Sequence, residues 1–245
     1  MTRRRGLLGF IPLLMLATAQ SAMAQDVSIT IGEGDSLTTR TIQLFALITL
    51  LSLVPGLAVM ITCFPFIVTV LSILRQAIGL QQAPPNMLIV TLALFLTYFV
   101  MDPVLRTAWA AGIDPFINGQ SALEDAFLAT LEPFRAFMSA RVDPETFETL
   151  AALRSDLETI PADADAPLSV LIPSFLLSEI ARAFQIGFLV FLPFLIIDLV
   201  VSAVLMSMGM MMVPPVIVSL PFKLAFFVIA DGWALIAGAL VRGYF

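Results

Sequence analysis

The sequence contains no histidine and one cysteine, Cys63. Without histidine there can be no Ser-His-Asp triad, no Cys-His pair, no histidine-ligated zinc and no histidine proton relay. A lone cysteine excludes an internal disulfide and a cysteine-rich metal site. Neither a Walker-type phosphate loop nor a GxGxxG fingerprint is present. Charge is scarce as well: Asp, Glu, Lys and Arg make up 12% of the residues, far below the share in soluble globular chains. Two pairs imitate catalytic sites. Ser219 and Lys223 are spaced like a Ser-Lys dyad, but Pro221 interrupts the helix face between them. Asp198 and Asp231 could pass for an intramembrane aspartyl pair, but neither lies in a GxGD-like setting. No enzyme, cofactor, metal or nucleic-acid site is expected.

What the chain has is apolar length. Hydrophobic residues make up 60%, and the mean hydropathy is +1.02. A bilayer span needs about 20 predominantly apolar residues. Between Arg40 and Arg75 lie 34 uncharged residues, and 26 more separate Arg75 from Asp102. From Ala183 to Phe222 the one charge in 40 residues is Asp198. As a helix that run would extend about 60 Å, twice the ~30 Å hydrocarbon thickness. It is therefore expected to fold back as a hairpin, with Gly209 and Pro214-Pro215 at the turn. The 34-residue run is interrupted at Pro55-Gly56 and Pro65, which fits either a kinked helix or a broken one.

Residues 1–24 have the parts of a secretory signal peptide: Arg3-Arg4-Arg5, an apolar centre, and Ala22-Met23-Ala24 before Gln25. Cleavage between Ala24 and Gln25 would leave a polar segment, 25–40, on the far side of the membrane. A first hydrophobic hairpin is expected over 41–106, with segments at Thr41–Leu74 and Met87–Met101. An acidic, water-facing region follows over 107–168; residues 112–167 hold 11 acidic and 3 basic side chains. The spacings Phe127, Leu128, Leu131, Phe134 and Phe147, Leu150, Leu153, Leu157 predict short amphipathic helices there. A second hairpin, 169–245, would have segments at Ser169–Met206 and Met210–Leu240. With the mature start in the periplasm, Arg75 falls on the cytoplasmic side and the acidic region on the periplasmic side, in keeping with the positive-inside tendency.

Several side chains do not fit an apolar run unless they have partners. Asp198, Lys223 and Asp231 stand in strongly apolar surroundings. A charge at mid-membrane costs about 2.5–3.5 kcal/mol on insertion scales, so it normally faces protein or water. Asp198 and Lys223, on opposite arms of the hairpin, are candidates to pair within a chain or between copies. Glu179 and Arg182 follow Pro173, which suits a helix start; Glu179 is expected at the water boundary or facing an assembly lumen. Positions 206–212 read Met-Ser-Met-Gly-Met-Met-Met. Methionine is unbranched and polarizable, so copies of this loop in a ring would make a soft apolar seal able to deform around a passing polypeptide.

From Pro173 onward the sequence resembles the FliP family. The strings are Ala183-Phe184-Gln185-Ile186-Gly187-Phe188, Pro193-Phe194-Leu195-Ile196-Ile197-Asp198, Gly209-Met210-Met211-Met212-Val213-Pro214-Pro215 and Leu220-Pro221-Phe222-Lys223-Leu224. Ala83-Pro84-Pro85-Asn86 and Leu92-Ala93-Leu94-Phe95-Leu96-Thr97 also fit. In one place the chain departs from the family. Where members often read Thr-Ser-Phe-x-Arg, Thr62-Cys63-Phe64-Pro65-Phe66 ends in phenylalanine, and no arginine role is carried onto Phe66.

The resemblance implies an all-α integral membrane protein of two long helical hairpins, about four hydrophobic segments, with a small acidic helical periplasmic region. It implies a ring of several copies with FliQ- and FliR-like membrane subunits and other export-apparatus membrane proteins. The assembly would sit in the flagellar basal body at the bacterial inner membrane and conduct unfolded flagellar subunits. It further implies that Met210, Met211 and Met212 form a gasket, that Asp198 and Lys223 make an inter-subunit or inter-helix charge contact, and that Glu179 is a lumen-side acid. The homologous subunit of a virulence injectisome and, more remotely, an ion-coupled small-molecule transporter are the alternatives. A cleavable signal favours the flagellar member.

Overall fold

The computed structural model describes residues 37–80, 84–154, 161, 163, 165–210 and 212–245, and all regular structure among them is helical. The signal peptide, its Ala24-Gln25 junction, Leu157 and Met211 lie outside the described residues.

The long uncharged run after Arg40 is broken. Helix α1, Leu37–Met60, ends before a short turn, and α2, Phe64–Ile78, begins with Pro65 in its first turn. Proline is tolerated there because its missing N–H would have no intrahelical partner. Within α1, Thr41–Met60 supplies 20 residues of mean hydropathy 2.2, enough for a span. Helix α2 has only 15 residues, about 22 Å, and is too short to cross. It serves as the core: Phe66, Ile67, Val70, Leu71, Leu74, Ala77 and Ile78 are buried.

Helix α3, Asn86–Ala108, runs through a π-helical turn, Trp109–Ile113, into the short α4, Asp114–Ile117. The second apolar segment therefore continues well past Met101, and the boundary expected at 106/107 falls inside one helical run. Asp102 and Arg106 do not end the helix because they pair with each other one turn apart, at 2.8 Å. The π-helical turn rests on helix α5, Leu123–Ser139, where Gly112 meets the Ala126–Thr130 turn. A Cβ at Gly112 would lie 2.4 Å from the Ala126 carbonyl oxygen and 2.8 Å from the Thr130 amide nitrogen. Backbone cannot yield as a side-chain tip does, so Gly112→Ala is expected to cost about 1–3 kcal/mol, the range for overpacking. Thermal unfolding in detergent would measure it, and a melting point equal to that of the unmodified chain would show the contact to be loose.

The acidic region forms α5 and α6, Pro144–Ala151, whose first turn is capped by Asp143 accepting from the Thr146 amide at 3.0 Å. Phe147 is buried as the spacing predicted, but Phe127, Leu128 and Leu153 are exposed. The buried face of α5 carries Ala126 and Met138 instead.

Helix α7, Leu168–Ser207, has 40 residues and packs along α2. It begins one residue before the Ser169 expected for this segment, with Pro173 inside the helix and not at its start. Burying Val170 and Leu171 against Met138, Phe147 and Phe175 contributes about 1.5–3 kcal/mol per side chain. Together these offset the ~3 kcal/mol that an interior proline costs a helix. The turn falls where the sequence placed it. Gly209 adopts φ 76°, its amide donates to the Met206 carbonyl at 3.1 Å, and that of Met210 donates to the Leu205 carbonyl at 3.0 Å. This is a Schellman closure, and glycine holds the left-handed position without a Cβ penalty. Pro214 is extended, as a residue before proline prefers, and Pro215 opens α8, Pro215–Ile229. Helix α9, Gly232–Arg242, follows at a 62° bend. Asp231 sits in that bend with φ 47° and is exposed, so the fourth segment is broken at its charge. Among the described residues, three helices are long and apolar enough to cross a membrane, four if the bent pair counts as one span.

Candidate functional site: the second hairpin and its base

The hairpin tip presents methionines outward. Met208 and Met210 are exposed, and Met212 is 97% exposed, the most open of the large apolar side chains described. Below the tip, α7 and α8 enclose an apolar groove of about 550 Å³ lined by Ile197, Val201, Val204, Leu205, Val218 and Phe222 among others. Two centres of linked polar side chains lie along the hairpin.

In the first centre, Lys223 Nζ lies 2.6 Å from Asp198 Oδ2, so the pair forms within one chain. Ser219 Oγ, fully buried one turn before Lys223, donates to Asp198 Oδ1 at 2.5 Å. Pro221 between them, which speaks against a Ser-Lys dyad, does not prevent both from reaching the same carboxylate. Lys223 also donates to the Ala77 carbonyl at 3.0 Å. Ala77 lies in the last turn of α2, where carbonyls have no intrahelical donor and the helix dipole is negative. One ammonium thus joins α8 to α7 and caps α2.

The second centre lies at the base of α7. Glu179 is completely buried inside the chain, which corrects the expected boundary or lumen position. Arg141, from the α5–α6 junction, donates through Nε to Glu179 Oε1 at 2.9 Å and through Nη1 to the Gly243 carbonyl at 3.2 Å. Arg182 approaches the same carboxylate oxygen at 3.7 Å. Tyr244 donates its hydroxyl to Glu179 Oε2, and the Arg141 guanidinium carbon sits 3.8 Å from the centre of its ring. Burial, reinforced by the Glu179 carboxylate, pushes the Tyr244 phenol well above its ordinary pKa and keeps it a donor. Phe66 packs edge-on to Tyr244 at 5.6 Å, and Phe137 stacks on it at 6.1 Å.

Sequence reasoning missed Arg141, Tyr244 and the bonding role of Ser219. Arg141 is one of 3 basic residues among 11 acidic ones in 112–167, and Tyr244 one of two tyrosines; those rarities were the available signals.

The FliP family model matches residues 47–240, most of the chain and both arms of the hairpin. The chain belongs to the FliP family. Over 225 residues it is 50% identical to the flagellar biosynthetic protein FliP of Caulobacter vibrioides, covering 91% of this chain and 84% of that one. The flagellar biosynthetic protein FliP of Rhizobium meliloti is 45% identical over 232 residues, covering 94% and 93% of the two chains. That of Bacillus subtilis is 42% identical over 204 residues, covering 83% and 92%. The region matched to the FliP family contains the methionine loop, Asp198, Lys223, Glu179 and Arg141, and ends before Tyr244.

Proposed function

We propose that this chain is a subunit of the flagellar type III protein-export gate. Several copies, together with FliQ- and FliR-like membrane subunits, enclose a channel through which unfolded flagellar subunits leave the cytoplasm. The gate stands in the bacterial inner membrane within the flagellar basal body, contacts other export-apparatus membrane proteins there, and turns its acidic region to the periplasm. Its work is conduction, not catalysis. Membership of the FliP family and the names of the relatives support this reading. So does the shortage of spanning segments: the three or four among the described residues cannot surround a polypeptide, so conduction requires an oligomer.

The observation that carries the proposal is the methionine loop, held by a Schellman closure at the tip of a hairpin with its described methionines turned outward. Unbranched thioether side chains can repack around surfaces of different shape. In the assembly, Met210, Met211 and Met212 seal the channel, and the Asp198–Lys223 pair holds the two arms in register so that the loops meet. Replacing the three methionines with alanine is expected to leave the complex assembled but to raise its ion conductance several-fold in planar bilayers. Bulky, rigid replacements should instead slow secretion of hook protein. If both sets match the unmodified protein in conductance and export, the methionines are ordinary packing. A deletion strain that swims and exports hook protein normally would remove the export reading altogether.

A further inference from the structure

Beside the buried Glu179–Arg141 pair lies an aromatic ring whose partners come from several elements. Tyr244 follows α9 by two residues and touches Phe66 of α2, Phe137 of α5, Arg141 of the α5–α6 junction and Glu179 of α7. The backbone joins in, since the Gly243 carbonyl accepts from Arg141. Phe245, by contrast, is 76% exposed.

We propose that Gly243 and Tyr244 form a latch: the Tyr244 hydroxyl completes the buried Glu179–Arg141 ion pair and so fastens the end of α9 to α7 and to the acidic region. Two features separate a latch from ordinary packing. The acceptor is a completely buried carboxylate, so loss of the phenol leaves one of its oxygens without this donor. The residues that seat the ring come from α2, α5 and the α5–α6 junction, so release of Tyr244 loosens the join between the acidic region and the hairpin. The inference requires only the folded chain and stands or falls independently of the export reading.

The test uses the full chain in its assembly, purified in mild detergent, with hydrogen exchange read over 140–151 and 240–245. Y244F keeps the ring and removes the donor; exchange over both segments is expected to quicken by ~tenfold or more, the factor for a hydrogen bond to a charged group. Y244A, which loses the ring too, should exceed it. In an E179A background the acceptor is already gone, so Y244F should change exchange by less than ~threefold. Y244F that exchanges like the unmodified chain, or an equal effect on both backgrounds, overturns the latch. Should E179A fail to accumulate, Y98F leaves Tyr244 as the one tyrosine, and alkaline titration of its absorbance decides. Phenolate appearing together with unfolding supports the latch, whereas phenolate near the ordinary value of ~10 in folded protein overturns it. Truncation after Gly243 should reproduce Y244A, while F245A, at an exposed position, should leave exchange unchanged.

Discussion

Replacing Lys223 with methionine is expected to destabilise the chain by about 3–5 kcal/mol, the range for removing one partner of a buried ion pair. Methionine preserves most of the side-chain volume, so the loss is electrostatic rather than a cavity. It strands two acceptors at once. Asp198 keeps only the Ser219 hydroxyl, and the Ala77 carbonyl at the end of α2 loses its donor. Melting in detergent and the amount of protein accumulating in membranes both report the effect. A charge swap, Asp198→Lys with Lys223→Asp, should recover only part of it. The swapped pair can still attract, but a carboxylate at 223 would face the Ala77 carbonyl, and the Ser219 hydroxyl, now a donor, would have to turn and accept from a lysine at 198. The neutral double variant D198N/K223M should be less damaging than K223M, since no unpaired charge remains in apolar surroundings. A K223M chain as stable as the unmodified one would mean that the pair contributes nothing to holding the hairpin.

Features written in local chemistry were legible in the sequence. Gly209 followed by Pro214-Pro215 announced the hairpin turn because each residue restricts its own backbone, and the charge-free runs announced the apolar helices because bilayer thickness sets their length. What escaped depended on partners far along the chain. That Pro65 breaks the first run while Pro173 is absorbed into α7 is not a property of proline: near Pro173, Val170 and Leu171 find a core made by Met138 and Phe147. The charges divide in the same way. Asp198 and Lys223 stood out because their neighbours are apolar, and they lie together in space. Arg141 was hidden among the charges of the acidic region, 38 residues before the carboxylate it neutralises, and Tyr244 lies 65 residues beyond it. Glu179 was expected at the water boundary or facing a lumen because the sequence does not show the partners that cover it. It lies three turns into α7 and is buried.

Arg141→Met carries the second large effect. Glu179 would keep the Tyr244 hydroxyl and a more distant Arg182, and a completely buried carboxylate without its main cation is expected to cost about 3–5 kcal/mol. The guanidinium's stacking on Tyr244, worth about 0.5–2 kcal/mol, disappears with it. The recoveries make the argument testable. R141M/E179M replaces the pair with apolar side chains of similar length and should regain most of the loss, because the desolvation of both charges is relieved together. It still buries a phenol whose acceptor has gone, a deficit of about 1–3 kcal/mol. Adding Y244F removes that deficit, so the melting temperatures should rank the triple variant above the double and the double above R141M. If the double variant is no better than R141M, or Y244F lowers the melting point of the double, the base of the hairpin is held by shape alone and the charges there do not stabilise it.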